Sequence, residues 1–203
     1  MSTSTSVEFE QPTSFSFTAE NAAEAKKIIT KYPAGRQASA VMPLLALAQK
    51  QHNNWLPKVA MDVVADMLDM APMRVYEVAT FYTMYNLAPV GKHLVELCTT
   101  TPCWLRGSAD VVKACEKHLG VAVGETTADK QFTLKEAECL GACVNAPMGS
   151  INGIFYEDLT PDNVVKLLGE LKSGKTPKPG SQAGRVSSEP QGGATTLKGK
   201  KSA

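Results

Sequence analysis

The chain reads as α+β: an N-terminal helical bundle, a small sheet-containing domain, and a C-terminal tail expected to be disordered. Three observations predict this. Apolar residues recur at the i, i+3, i+4, i+7 spacing of amphipathic helices up to about Tyr85. After Ala88, Pro89, Val90 and Gly91 the period shortens to that of strands. Beyond Gly174 the composition falls to Gly, Ser, Thr, Pro, Ala and Lys, too polar to bury the area that ordering requires. The expected parts are a disordered N-terminus (1–16), the helical bundle (17–88), the sheet domain (89–174) and a disordered basic tail (175–203).

In the bundle, Thr18 is placed to cap a first helix running to about Lys31, with Glu20 in its first turn. A second helix spans about 38–53 and buries Val41, Leu44, Leu45 and Ala48. Pro43 is tolerable there only near the first turn. A third starts near Pro57 with the stripe Val59, Val63, Met67 and Met70. A fourth covers about 72–85 with Val75, Val78, Ala79, Tyr82 and Tyr85, and Phe81 beside them. Stripes of Met and aromatics build cores, and what such a core leaves over is free to dock a partner.

In the second domain, His93–Cys98 reads as a strand and Trp104–Leu119 as a helix closed by Gly120. Cys115 falls on the inner face of that helix with Val111, Val112 and Leu119, as a small buried hydrophobe. A second strand covers about 131–138, and the turn Asn152-Gly153 joins two short strands into a hairpin. Thr160 and Pro161 open a last helix to about Lys172.

With 203 residues, 43% of them hydrophobic, and a net charge of +1, the composition is that of an ordinary globular protein. No apolar run approaches the roughly 18 residues a membrane span needs. The opening residues lack the basic region and apolar core of a secretory signal, and the arginines of a transit peptide. An odd number of cysteines, five, suits a reducing compartment. The charge is uneven. Residues 173–203 carry Lys175, Lys178, Arg185, Lys198, Lys200 and Lys201 against Glu189, a net of +5, which leaves −4 for the rest. A solvated extension is the expectation for that tail, not a nucleic-acid site, and its removal should leave the rest of the molecule intact.

The chemistry lies in the cysteines. Cys98 and Cys103 are separated by four residues, Cys139 and Cys143 by three, with 35 between the pairs. Thiolates are soft ligands for zinc, copper(I) or iron–sulfur clusters. A structural zinc usually takes at least one tight C-x-x-C knuckle, absent here, whereas a [2Fe–2S] rhomb offers each wider pair its own iron. The spacing favours the cluster and leaves zinc, disulfides and free thiols as alternatives. Both pairs follow strand ends, so the two loops are free to meet at one end of the sheet. Thr99, Thr100 and Thr101 offer hydroxyl donors to sulfur, and helix amides after Cys103 would stabilise cluster charge. His52, His93 and His118 stand alone. The sequence has no Gly-rich dinucleotide fingerprint and no P-loop.

The two pairs, with Gly141 inside the second and Ala146-Pro147 after it, resemble the thioredoxin-like [2Fe–2S] ferredoxin family. Residues 75–84 are similar to the helical region of its complex I members, and the resemblance covers roughly residues 17–172. It implies a thioredoxin-like [2Fe–2S] domain in which Cys98 and Cys103 hold one iron and Cys139 and Cys143 the other. It further implies an electron-transfer subunit of NADH:quinone oxidoreductase, peripheral on the cytoplasmic or matrix side, touching the membrane only through the complex. Its partners would be the NADH-binding flavoprotein subunit, which holds FMN and NADH, and the other peripheral-arm subunits. The alternatives are the small subunit of a soluble NAD-linked hydrogenase or formate dehydrogenase, or a binding module stabilised by zinc on the four cysteines. A fragment of residues 88–174 is expected to hold the cluster by itself.

Overall fold

Thr18 opens the first helix by accepting a hydrogen bond from the Asn21 amide at 3.2 Å. In the computed structural model, which describes residues 9–190, 192, 193, 195 and 196, that helix is α1, Ala19–Ile29. A 3₁₀ turn, Gln37–Ala40, leads into α2, Val41–Gln51. Pro43 falls in the first turn of α2, where the missing N–H costs nothing. The expected face, Val41, Leu44, Leu45 and Ala48, is buried.

Helix α3, Lys58–Met67, departs in part from expectation: its most buried residues are Ala60, Met61, Val64 and Ala65, while Met67 and Met70 of the expected stripe pack half-buried against the same core. A count of bulky residues overlooks small alanines, yet packing takes the face that contains them. Helix α4, Pro72–Phe81, is four residues shorter than expected because Tyr82 turns to extended backbone. Tyr85 then returns to the core and donates its hydroxyl to the Met42 carbonyl at 2.9 Å, while Phe81 is left 77% exposed.

The N-terminal expectation of disorder is corrected for residues 9–16. Phe9 packs edge-on against Trp55, and Phe15 against Phe17. The Gln51 side chain donates to the Ser16 carbonyl and accepts from the Thr18 amide. Spaced aromatics anchor a segment whose average composition is polar. Residues 1–8 lie outside the described residues.

The chain divides into two units, Met1–Val90 and Gly91–Ala203. The second is built on a five-stranded sheet of order β2-β1-β3-β4-β5. Strand β1, His93–Cys98, and β2, Phe132–Ala137, run parallel with Cys98 opposite Ala137. Parallel neighbours need a helical crossover. It comes in two pieces, α5 (Thr101–Leu105) and α6 (Ser108–Leu119), where one helix was expected. Gly107 divides them at φ 92°, a left-handed conformation that only glycine adopts cheaply.

Strands β3, Met148–Ile151, and β4, Ile154–Glu157, form the antiparallel hairpin that Asn152-Gly153 closes with both residues at positive φ. Helix α7, Pro161–Lys172, opens with a reciprocal cap between Thr160 and Asn163. Its Val164, Leu167 and Leu168 pack with Val111 and Cys115 of α6 and with Val95, Phe132 and Leu134 of the sheet.

The tail expectation is also corrected. Gly180–Ser181 adds a fifth strand, β5, parallel to β4. Arg185 is enclosed beside Asp158 at 2.9 Å, with side chains 17% and 15% exposed. Charge-assisted bonds supply what apolar burial does not. The assignment of disorder to residues 191, 194 and 197–203 falls outside the described residues. Among the described residues no helix is long and apolar enough to cross a membrane.

Candidate metal centre

Because β1 and β2 are parallel, their C-terminal ends lie at the same end of the sheet. Cys98 is the last residue of β1, and Cys139 follows β2 by two residues. Cys103 lies within α5, a correction to its expected place before the helix. Cys143 opens a short 3₁₀ turn, Cys143–Asn145. Gly141, at φ 88°, bends the chain between Cys139 and Cys143, whose sulfurs then stand 3.4 Å apart.

The loop that carries Cys139 and Cys143 lies against the first pair, since its Leu140 and Ala142 pack on the cluster that contains Cys98 and Cys103. Among the described residues no three Cys, His, Asp or Glu side chains gather so as to hold one ion, and the four thiols stand as two pairs. Cys115 lies elsewhere, inside the α6–α7 core.

The two pairs have different surroundings. Cys98 and Cys103 are 1% exposed and share a small apolar cluster with Ala146 and Met148, flanked by Leu140 and Ala142. Cys139 is exposed and Cys143 half-buried. Burial pushes the Cys98 thiol up. Hydrogen bonds outweigh that and leave it more acidic than usual: from the Thr100 hydroxyl, 3.1 Å away, from the Thr100 and Leu140 main chain, and from Cys103. Of the three expected threonine donors, Thr100 thus reaches sulfur. Burial, reinforced by Cys98, pushes Cys103 up to about 11 despite a main-chain bond from Met148. Cys143 is raised by its hydrogen bond with Cys139, then by partial burial and neighbouring thiolate charge. Donors aimed at sulfur and a dry shell are features by which proteins tune iron–sulfur centres.

These thiols, two pairs with sulfur-directed amide and hydroxyl donors, suit a [2Fe–2S] cluster. The model of the thioredoxin-like [2Fe–2S] ferredoxin family matches residues 25–172. The chain belongs to that family.

Over 161 residues, 79% of this chain and 96% of the relative, it is 56% identical to a subunit of the NADH-quinone oxidoreductase of Rickettsia conorii. Over 185 residues, 91% of this chain and 75% of the relative, it is 52% identical to the mitochondrial NADH dehydrogenase [ubiquinone] flavoprotein 2 of Dictyostelium discoideum. Among solved structures it is similar in fold to a chain of the NAD+-reducing [NiFe]-hydrogenase in the air-oxidised state, with TM-score 0.56 and 20% identity. That match covers 64% of this chain and 23% of the other.

Residue reasoning missed Asn145, Asp158 and Arg185, which surround the Cys143 turn. Asn145 is 2% exposed. Its side-chain amide donates to the Ser187 carbonyl at 2.7 Å and to the Glu157 carboxylate. Residues separated by 27 or 40 positions leave no local signal.

Proposed function

We propose that this chain is an electron-transfer subunit of NADH:quinone oxidoreductase, carrying one [2Fe–2S] cluster on Cys98, Cys103, Cys139 and Cys143. The observation that carries the reading is the placement of one thiol pair at the C-terminal end of each of the parallel strands β1 and β2, in a chain 52–56% identical to subunits of that enzyme. When bound, the cluster supplies one-electron transfer. The chain's part is to hold it: Cys98 and Cys103 from an apolar floor, Cys139 and Cys143 from a surface loop, with Thr100 and Leu140 donating toward Cys98.

The exposed side chains Trp104, Leu105 and Val144 flank these ligands. Exposed apolar surface beside a redox site supports close docking by a partner. The partner in this reading is the NADH-binding flavoprotein subunit, with FMN and NADH on that chain, within the peripheral arm on the cytoplasmic or matrix side of the membrane. Phe81, Tyr82 and Met84 of the first unit offer apolar surface of the same kind. The hydrogenase likeness rests on 20% identity and concerns fold.

The test is anaerobic purification followed by iron and acid-labile sulfide analysis, electron paramagnetic resonance of the reduced protein, and pull-down of the flavoprotein subunit. Two irons, two sulfides, a one-electron signal and capture of the flavoprotein are expected. Stoichiometric zinc without iron would overturn the cluster assignment.

A further inference from the structure

We propose that residues 178–190 form a strap that clasps the cluster-binding loop, with Arg185 as its positioning residue; this rests on the ligand assignment above. The argument begins with where the Arg185 guanidinium spends its donors. Nε donates to Asp158 Oδ2 at 3.0 Å and Nη2 to Asp158 Oδ1 at 2.9 Å. Nη2 also donates to the Val144 carbonyl at 2.9 Å and to the Asn145 side-chain oxygen, and Nη1 to the Glu189 carbonyl at 3.0 Å. One side chain thus ties together the residue after Cys143, the end of β4 and the strap itself. A fork of fixed donors does this and a lysine does not.

Further bonds run independently to the same place. Ser181 donates its hydroxyl to Asp158 Oδ2 at 2.6 Å, and the Gln182 amide donates to the Glu157 carbonyl at 2.9 Å. The Asp158 amide donates to the Asn145 carbonyl at 2.8 Å. Asn145 in turn reaches back to Ser187 in the strap. The strap also walls a cleft of about 690 Å³ that reaches Cys143, with Arg106, Val144, Arg185, Glu189 and Pro190 among its lining.

Cys143 itself sits in a loop with no strand or long helix to hold it. Its position is therefore fixed by the turn Cys143–Asn145, and that turn is fixed by Arg185 and Asp158. The strap accordingly controls how firmly the second thiol pair keeps its iron and how the field around it is oriented.

The test uses the full-length cluster-loaded chain and four variants: Arg185→Ala, Arg185→Lys, a chain ending at Pro177, and Val164→Ala. The last weakens the α7 core of the same unit, away from the loop. Cluster release under a chelator is followed by visible absorbance, the reduced cluster by its principal g-values, and melting temperature alongside. Arg185→Ala and the truncated chain should release the cluster at least about 10-fold faster than wild type, as loss of a group that orients metal ligands does. Their g-values should shift, and Arg185→Lys should fall between. Val164→Ala, at a comparable loss of melting temperature, should release slowly with unchanged g-values.

Equal release by Arg185→Ala and wild type with identical g-values would overturn the proposal. So would release by Val164→Ala as fast as by Arg185→Ala. If Arg185→Ala fails to fold, Arg185→Lys decides by the same two readouts. A wild-type chain that takes up no [2Fe–2S] cluster would sink the ligand assignment instead, before the strap is tested.

Discussion

The two cysteine pairs of this chain are held in opposite ways. Cys98 ends a strand and Cys103 sits in a helix, both within an apolar cluster that α5, β1 and β3 complete. Cys139 and Cys143 occupy a loop bent by Gly141, open to solvent, and steadied by polar contacts from residues far along the chain. The first pair is fixed by burial, which is shared among many apolar contacts and costly to disturb. The second is fixed by directed hydrogen bonds, which come from afar and are lost one at a time. A site built this way has a rigid floor and an adjustable rim.

Serine substitution breaks the comparison most severely. Cys103→Ser and Cys139→Ser should both lose cluster, with Cys103→Ser the more complete, because its hydroxyl would sit in the apolar floor at a cost of about 1–3 kcal/mol. Iron and sulfide per chain measure the difference. Equal residual occupancy would mean that floor and rim contribute alike.

Alkylation of the cluster-free chain sharpens the same contrast. Exposed Cys139 should react first and Cys143 next. Cys103, buried and pushed up to about 11, and Cys115, pushed up to about 12 by burial and the nearby Glu116 charge, should react slowest. The Cys103 rate should climb with pH toward 11, as the thiolate fraction grows, while the fold persists. Peptide masses over time follow each thiol, and early modification of Cys103 at neutral pH would contradict the burial argument.

The floor was legible in the sequence and half of the rim was not. Strand-to-cysteine continuity at Cys98, the Thr100 donor and the hairpin at Asn152-Gly153 are local features with local signals, and each appears where it was expected. The buried face of α2 was equally plain, whereas that of α3 was only half found, through Met67 and Met70, because alanines carry little weight in an apolar count. Arg185 escaped for a different reason. A lone arginine among glycines and serines looks solvated, and only the fold brings Asp158 and Asn145 to it. For that reason a fragment ending at residue 174, expected from the sequence to keep the cluster, should hold it loosely: such a fragment lacks the strap.

A smaller effect is expected at the cysteine outside the site. Cys115 is fully buried among Val111, Val164 and Leu168. Cys115→Ser should cost about 1–2 kcal/mol by placing a hydroxyl in an apolar core and leave cluster content at the wild-type level. Thermal unfolding with metal analysis checks both, and loss of the cluster in this variant would overturn the four-ligand assignment.

The smallest expected effect marks the far end of the same sheet, where β1 begins. The His93 ring lies against Phe132 at 5.1 Å, and its Nε2 is buried without a hydrogen-bond partner. Burial, with a lesser contribution from the Lys92 charge, holds its pKa below the ordinary 6.5. The unfolded chain therefore binds a proton at a pH where the folded chain does not, and stability rises with pH across that interval. Stability from this group is complete above about pH 6.5 and declines as pH falls toward the lower folded value. His93→Phe keeps a ring against Phe132 and removes the proton, so it should flatten this part of the profile. Hydrogen exchange of the Leu94 and Val95 amides, measured across that interval in both proteins, reads the difference at β1. Parallel profiles for the two would place the acid sensitivity elsewhere in the sheet unit, and the rim rather than the strand would be the next place to look for it.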